Sequence, residues 1–201
     1  MTTASDPRLM VGTPLAHDLL QRSARRVARL HDTLGVTPCL ATVIVGDDPA
    51  SVTYVRMKQD RCRTVGIESR HVALAERTST VDLVRVISEL SSEPAVHGIL
   101  LQHPVPSHID ERAAFEAIAP RKDVDGVTVA SFAAMAFGRP GFASCTPGGI
   151  IRLLDAYDVD LVGAHAVVLG RSPILGKPVG MMLLARHATV TFCHSRTRDL
   201  A

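Results

Sequence analysis

Aromatic side chains are scarce in this 201-residue chain, which has no tryptophan, two tyrosines and five phenylalanines. Without a stacking platform, and with 22 basic against 20 acidic side chains, it carries neither of the features by which a protein holds nucleic acid. The four cysteines, Cys39, Cys62, Cys145 and Cys193, are scattered with no paired spacing, so neither a zinc site nor a dithiol centre is indicated. They read as small packing residues in a reducing compartment. No apolar run reaches membrane-spanning length, and the short polar start from Met1 to Pro7 lacks a signal-peptide pattern. The expectation is a soluble cytoplasmic protein with no membrane or nucleic-acid partner.

What is present is a globular composition, 46% hydrophobic, long enough for one large domain or two small ones. Helical spacing of apolar residues runs from Leu15 to Leu34, with Gly35 as a stop. Strand-like runs follow at Cys39 to Val45, Ile67 to Leu74 and Val96 to Leu101. Between them lie a helix ending at Gly66 and one capped by Thr78 or Ser79 and running through Leu90. A rigid segment, Gln102-His103-Pro104-Val105-Pro106, precedes a short helix around Glu111 to Ile118. Thr146-Pro147 reads as a cap and first-turn proline for a helix from Gly148 to Tyr157. A new pattern starts at Ala166: strand to Leu169, glycine loop, helix Lys177 to Arg186, strand Ala188 to Cys193. Strands alternating with helices predict parallel βαβ units, with a boundary between about 140 and 160.

One stretch organises the first half. After the apolar run to Val45 comes a Gly-Asp-Asp turn, with Asp48 as helix cap and Pro49 as first helical residue. Tyr54 and Lys58 then fall four residues apart, one turn above the other on a single helix face. By spacing alone they form an amphipathic rim, ring half buried and amine in water. Their place after a strand end adds weight to a chemical role without reversing that reading, because ligand crevices form at strand ends in open α/β sheets.

The second half carries a cofactor signal. A strand running into a glycine loop that opens a helix sets backbone N–H groups and the positive helix end against an anion. The loop Gly170-Arg171-Ser172-Pro173-Ile174-Leu175-Gly176 departs from the dinucleotide fingerprint, since Ser172 stands at its second glycine position. At the end of the next strand, where a ribose-binding acid would stand for NAD, the chain has His194-Ser195-Arg196-Thr197-Arg198. Hydroxyls and cations there suit a 2′-phosphate, hence NADP.

Taken together these segments resemble the bifunctional methylenetetrahydrofolate dehydrogenase/methenyltetrahydrofolate cyclohydrolase family. The matching residues are Val45-Gly46-Asp47-Asp48-Pro49-Ala50-Ser51 with Tyr54 and Lys58, then Gly98-Ile99-Leu100-Leu101-Gln102 with Pro104 and Pro106. Lys122-Asp123-Val124-Asp125-Gly126, Cys145-Thr146-Pro147, Gly170-Arg171-Ser172 with Gly176-Lys177-Pro178, and His194-Ser195-Arg196-Thr197 follow in the family's order. The resemblance implies an N-terminal α/β domain with a mainly parallel sheet, residues 1–145, and the start of a C-terminal Rossmann-like NADP-binding domain, residues 146–201. A folate cleft would lie between them, and the protein would be a homodimer of one-carbon metabolism. It further implies catalytic and substrate-binding roles for Lys58, Tyr54, Gln102 and Asp125, and cofactor-binding roles for Gly170, Arg171, Ser172, Ser195 and Arg196, with no metal. Lys58 would move protons as water adds to a cationic methenyl substrate, whose charge favours a neutral amine. Tyr54 would stack on or hydrogen-bond near the reacting ring, Gln102 would hold Lys58, and Asp125 would accept from the pterin's N–H and amino groups. His103, His108 and His194 are not assigned to catalysis, and Cys145 is read as packing.

The resemblance departs at two places. Val127-Thr128-Val129 replaces a bulkier residue and a His-Pro pair found in some members, and the chain stops at Ala201, where the family's fold continues. A shortened Rossmann unit would leave a sheet edge unpaired and an apolar helix face uncovered. Two other functions therefore stand beside the bifunctional enzyme: a non-catalytic folate- or nucleotide-binding remnant, and a cyclohydrolase acting alone.

Overall fold

The computed structural model describes residues 9–200. Helix α1 (Thr13–Leu34) precedes strand β1 (Cys39–Val45), and α2 (Pro49–Val65), β2 (Glu68–Leu74), α3 (Thr80–Ser92) and β3 (Gly98–Leu101) complete the first alternation. Its sheet is parallel, in the order β2-β1-β3. Helices α4 (Glu111–Glu116), α5 (Val129–Ala136) and α6 (Cys145–Ala156) follow, then β4 (His165–Leu169), α7 (Gly176–Leu184) and β5 (Thr189–Cys193). Strands β4 and β5 form a second parallel sheet. Parallel pairing throughout matches the expected α/β class, because each crossover helix must cover a sheet face.

Side-chain alternation sorts the first sheet into two faces. Ala41, Val43 and Val45 of β1 join Ile99 and Leu101 of β3 in a core closed by Leu83, Ile87 and Leu90 of α3 and by Phe115 of α4. The other face belongs to α2, and Gln102 continues β3 there, its backbone N–H donating to Val43 O at 2.8 Å. In the second unit α7 packs on one side of its sheet, where Val168, Val179, Leu183 and Ala188 form a core with Ile151 of α6. Val167 and Leu169 are exposed on β4 at 55% and 74%, so the apolar surface left bare is on the strand as well as on α7, at Leu184.

Two sequence expectations move. Thr146 is not the cap of α6: the helix begins at Cys145, preceded by Ser144, and Pro147 is buried within its first turn. A proline has no N–H to contribute anywhere in a first turn, so its presence fixes that turn without fixing its first residue. Helix α5 was unforeseen. Its run Val129–Ala136 is apolar on nearly every position and shows no stripe, and the readable signal is Thr128, whose side chain accepts from Ser131 N.

Candidate active site

The cleft is built from strand ends and the helices that leave them. Asp48 caps α2 by accepting from Ser51 N at 2.8 Å, and these backbone hydrogen bonds hold its carboxyl below the ordinary range. Ser51, Val55, Cys62 and Val65 bury one face of α2. Tyr54 and Lys58 lie on the neighbouring face and open into a cavity of about 650 Å³. Tyr54 is 56% exposed, free to cover a ligand ring.

Lys58 Nζ donates to Gln102 Oε1 at 3.1 Å. Gln102 is only 9% exposed, and its Nε2 donates to His103 O at 2.9 Å. That second bond fixes which end of the amide faces Lys58, since the carbonyl oxygen alone can accept from an amine. The His103–Pro104 peptide is cis, and the His103 ring meets Phe115 edge-on with centroids 5.9 Å apart. His103 thus lines the cleft while its ring is engaged by the core.

The charged segment Lys122 to Gly126 divides its labour. Lys122 is buried and caps the end of α3, Nζ donating to Leu90 O at 3.0 Å and Glu93 O at 2.6 Å. Burial, then the neighbouring Arg121 charge, pushes its ammonium below the usual lysine range. Asp123, fully buried, accepts from Val127 N, Thr128 N and Thr128 Oγ1 at 3.1, 2.9 and 2.7 Å. Only Asp125 of the three reaches the cleft. Gly126 has φ +67°, and a Cβ there would lie 2.5 Å from Ser144 N, so the turn excludes any other residue.

Cys145 corrects its packing assignment: the residue is exposed and lines the same cleft. Its Sγ donates to Val124 O at 3.3 Å. Burial of the sulfur against this loop, followed by the negative Asp125 beside it, pushes the thiol up to about 12.

The second unit reaches the cleft through Ile174 and Leu175 of the glycine loop. Gly170 follows β4 with its N–H on Cys193 O at 2.7 Å, which sets the loop beside the end of β5. A Cβ on Gly176 would lie 2.6 Å from Gly170 O, so α7 starts pressed against the loop backbone. Ser172 accepts from Leu175 N at 3.0 Å through its side chain and from Lys177 N at 3.0 Å through its carbonyl. Next to it, His194 and Thr197 close a turn on each other: His194 N donates to Thr197 Oγ1 at 2.8 Å, and Arg196 N to His194 Nδ1 at 3.1 Å. Arg171, Ser172, Ser195 and Arg196 stand exposed on these two adjoining loops. His108 lies elsewhere, its Nε2 3.0 Å from Thr78 O. Among the described residues no cluster of metal-ligating side chains occurs.

Two family profiles match this chain: "Tetrahydrofolate dehydrogenase/cyclohydrolase, catalytic domain" over residues 10–125 and "Tetrahydrofolate dehydrogenase/cyclohydrolase, NAD(P)-binding domain" over residues 144–201. The chain belongs to the tetrahydrofolate dehydrogenase/cyclohydrolase family. It is 65% identical over its whole length to "Bifunctional protein FolD 1" of Streptomyces avermitilis, covering 70% of that protein. Among solved members of the family, the bifunctional enzyme of Campylobacter jejuni aligns with TM-score 0.92 and 39% identity over 96% of this chain and 68% of its own. The Trypanosoma brucei dehydrogenase-cyclohydrolase, solved with NADP and an inhibitor, aligns with TM-score 0.90 and 33% identity, covering 96% of this chain and 67% of its own.

Against this family frame, sequence reasoning missed the cleft walls made by Ser51, Val127, Cys145, Thr146, Ile174 and Leu175. The proline after Thr146 and the interrupted glycine loop were visible as turns. Nothing in their spacing says that a turn 21 residues beyond Asp125, at Thr146, and a loop 49 residues beyond it, at Ile174, face one cavity.

Proposed function

We propose that this chain oxidises 5,10-methylenetetrahydrofolate with NADP to the 5,10-methenyl compound and hydrolyses that product to 10-formyltetrahydrofolate. The observation that carries the reading is the Lys58–Gln102 hydrogen bond of 3.1 Å inside a cleft that Asp125 and the glycine loop also line. One cavity thus offers a proton-handling amine, a carboxylate for the pterin and an approach for a dinucleotide. We divide the chain accordingly into a folate-binding part, residues 1–145, and a cofactor-binding part, residues 146–201.

The residues present fit NADP. The backbone contact between Gly170 and Gly176 leaves no room for a Cβ, a close packing of helix start on loop that sets the N-terminus of α7 beside the loop where a pyrophosphate would bind. Gly170, Arg171 and Ser172 would hold the phosphates, and Ser195 and Arg196 the 2′-phosphate. When bound, NADP supplies the acceptor for a hydride from the methylene carbon. The protein's part in that step is to hold the substrate, with Asp125 on the pterin N–H groups and Tyr54 across the ring.

In the hydrolysis, water adds to the cationic methenyl carbon and Lys58, as neutral amine, takes a proton from it. The bond from the carbon to N5 then breaks. Of water's two protons one ends on N5 and the other is released, so charge balances. Gln102 keeps Lys58 at the attacked carbon by accepting its N–H.

The reading extends to a homodimer in the cytoplasm. It is supported by the family resemblance, and among the described residues no helix is long and apolar enough to cross a membrane. Sedimentation velocity of the purified chain tests the dimer. For the activity, methenyltetrahydrofolate absorbance decay and NADPH formation from methylenetetrahydrofolate are followed separately. Both signals are expected; decay without NADPH would leave a cyclohydrolase alone, and neither signal would refute the reading.

A further inference from the structure

Three successive carbonyls of the loop that carries Asp125 are each taken by the start of α6. Cys145 Sγ donates to Val124 O at 3.3 Å, Cys145 N to Asp125 O at 3.3 Å, and the buried Ser144 Oγ to Gly126 O at 2.9 Å. The contact is tight as well as polar, since the Gly126 backbone lies directly on that of Ala143 and Ser144. Carbonyls held this way resist rotation of the Asp125 backbone, so α6 joins the segment's own turn bonds, Val124 N to Lys122 O at 2.9 Å and Gly126 N to Asp123 O at 3.2 Å, in setting where the carboxylate leaves the chain. Further along, α6 leaves the cleft and enters the second core through Ile151 and Leu154. Asp155 near its end is paired with Arg186 just beyond α7, one oxygen at 2.9 Å.

We propose that Ser144 and Cys145 are positioning residues that staple the Asp125 loop to α6 and so aim its carboxylate at the folate substrate. The inference rests on the folate reading of the cleft. The thiol suits this work because burial of its sulfur, then the negative Asp125 beside it, keeps it protonated and so keeps its one donor. A hydroxyl in its place would donate to the same carbonyl, whereas a methyl group would leave Val124 O without that donor.

The test compares Cys145→Ala, Cys145→Ser and Ser144→Ala in the full chain, with KM and kcat for methenyltetrahydrofolate read separately and NADP affinity measured by direct titration. Cys145→Ala should raise KM about tenfold, the effect of one lost hydrogen bond to a positioned group, with kcat changed less than about threefold. Cys145→Ser should restore most of the KM. In an Asp125→Asn background, the same Cys145→Ala change should add little, because residues acting as one unit are not additive. Equal KM for the wild type and Cys145→Ala, equal impairment in the alanine and serine variants, or full additivity with Asp125→Asn would each overturn the staple. If Ser144→Ala does not fold, the Cys145 pair decides alone, as that side chain borders the open cleft. A wild-type chain that neither turns over methenyltetrahydrofolate nor binds it would overturn the functional reading, and the staple with it.

Discussion

The two sheets of this protein are built by the same rule and finished differently. In the first, β1 is flanked on both edges and covered on both faces, and Ala41, Val43, Leu83, Ile87 and Ile99 reach zero exposure. In the second, two strands lie against α7 and α6, no member of the core falls below 3% exposure, and Val167 and Leu169 point outward. The chemistry follows the same division. In the first unit Gln102 donates to His103 O, and Gly126 O, next to Asp125, accepts from the buried Ser144. The second presents a glycine loop and a turn whose polar side chains Arg171, Ser172, Ser195 and Arg196 stand in solvent.

The sharpest way to break the comparison is Lys58→Ala. If proton movement resides in the first unit, this change should lower the rate of methenyltetrahydrofolate hydrolysis by about 10²–10⁴-fold, the usual contribution of a positioned acid–base group, while NADP affinity is unchanged. Unaltered hydrolysis in stopped-flow absorbance would remove Lys58 from the mechanism. Next in size is the contrast in packing. Phe115→Ala, at a site 1% exposed and touched by both His103 and Arg112, should cost about 3–5 kcal/mol in urea unfolding. Leu183→Ala in the second core should fall near the low end for leucine, about 2 kcal/mol, because its surroundings are open enough to relax. Equal costs would show that the second core is as tightly closed as the first.

Gly176→Ala probes the backbone role of the second unit. The new Cβ would meet Gly170 O and Arg171 N, which cannot move without opening the loop, so NADP affinity should fall at least about tenfold in direct titration with hydrolysis little changed. The smallest effect is chemical. The Cys145 thiol is pushed up from 9.0 to about 12, so its alkylation by iodoacetamide at pH 8 should run at least about tenfold slower than that of free cysteine, despite its position in an open cleft. The sign for stability follows. The folded state keeps a proton that the unfolded chain releases, so this contribution is intact below about pH 9 and is lost as pH rises towards 12. Rapid alkylation at pH 8 would contradict the environment described for Cys145.

Legibility in the sequence tracked the range of the interaction. Strand β1 is Cys39–Val45 as its apolar run predicted, Asp48 and Pro49 open α2, and Gly35 and Gly66 close α1 and α2. These are local choices of propensity and capping. Helix α5 was lost because an almost uniformly apolar segment has no period to read. In Lys122-Asp123-Val124-Asp125-Gly126, three charges looked alike, yet two satisfy buried backbone and one faces the cleft. Cys145 read as a packing residue because a thiol's surroundings cannot be inferred from its neighbours in the chain.

The sequence by itself determined the alternation of strands and helices, their caps, and the family, because periodicity and turn chemistry act over a few residues and the motifs recur in order. Tertiary structure alone decided that Lys58, Gln102, Asp125 and Cys145 share a cavity with Ile174 and Leu175. The parallel crossovers bring distant strand ends and loops to one side, and only there can the start of α6, at the boundary of the two parts, hold the carbonyls of the Asp125 loop.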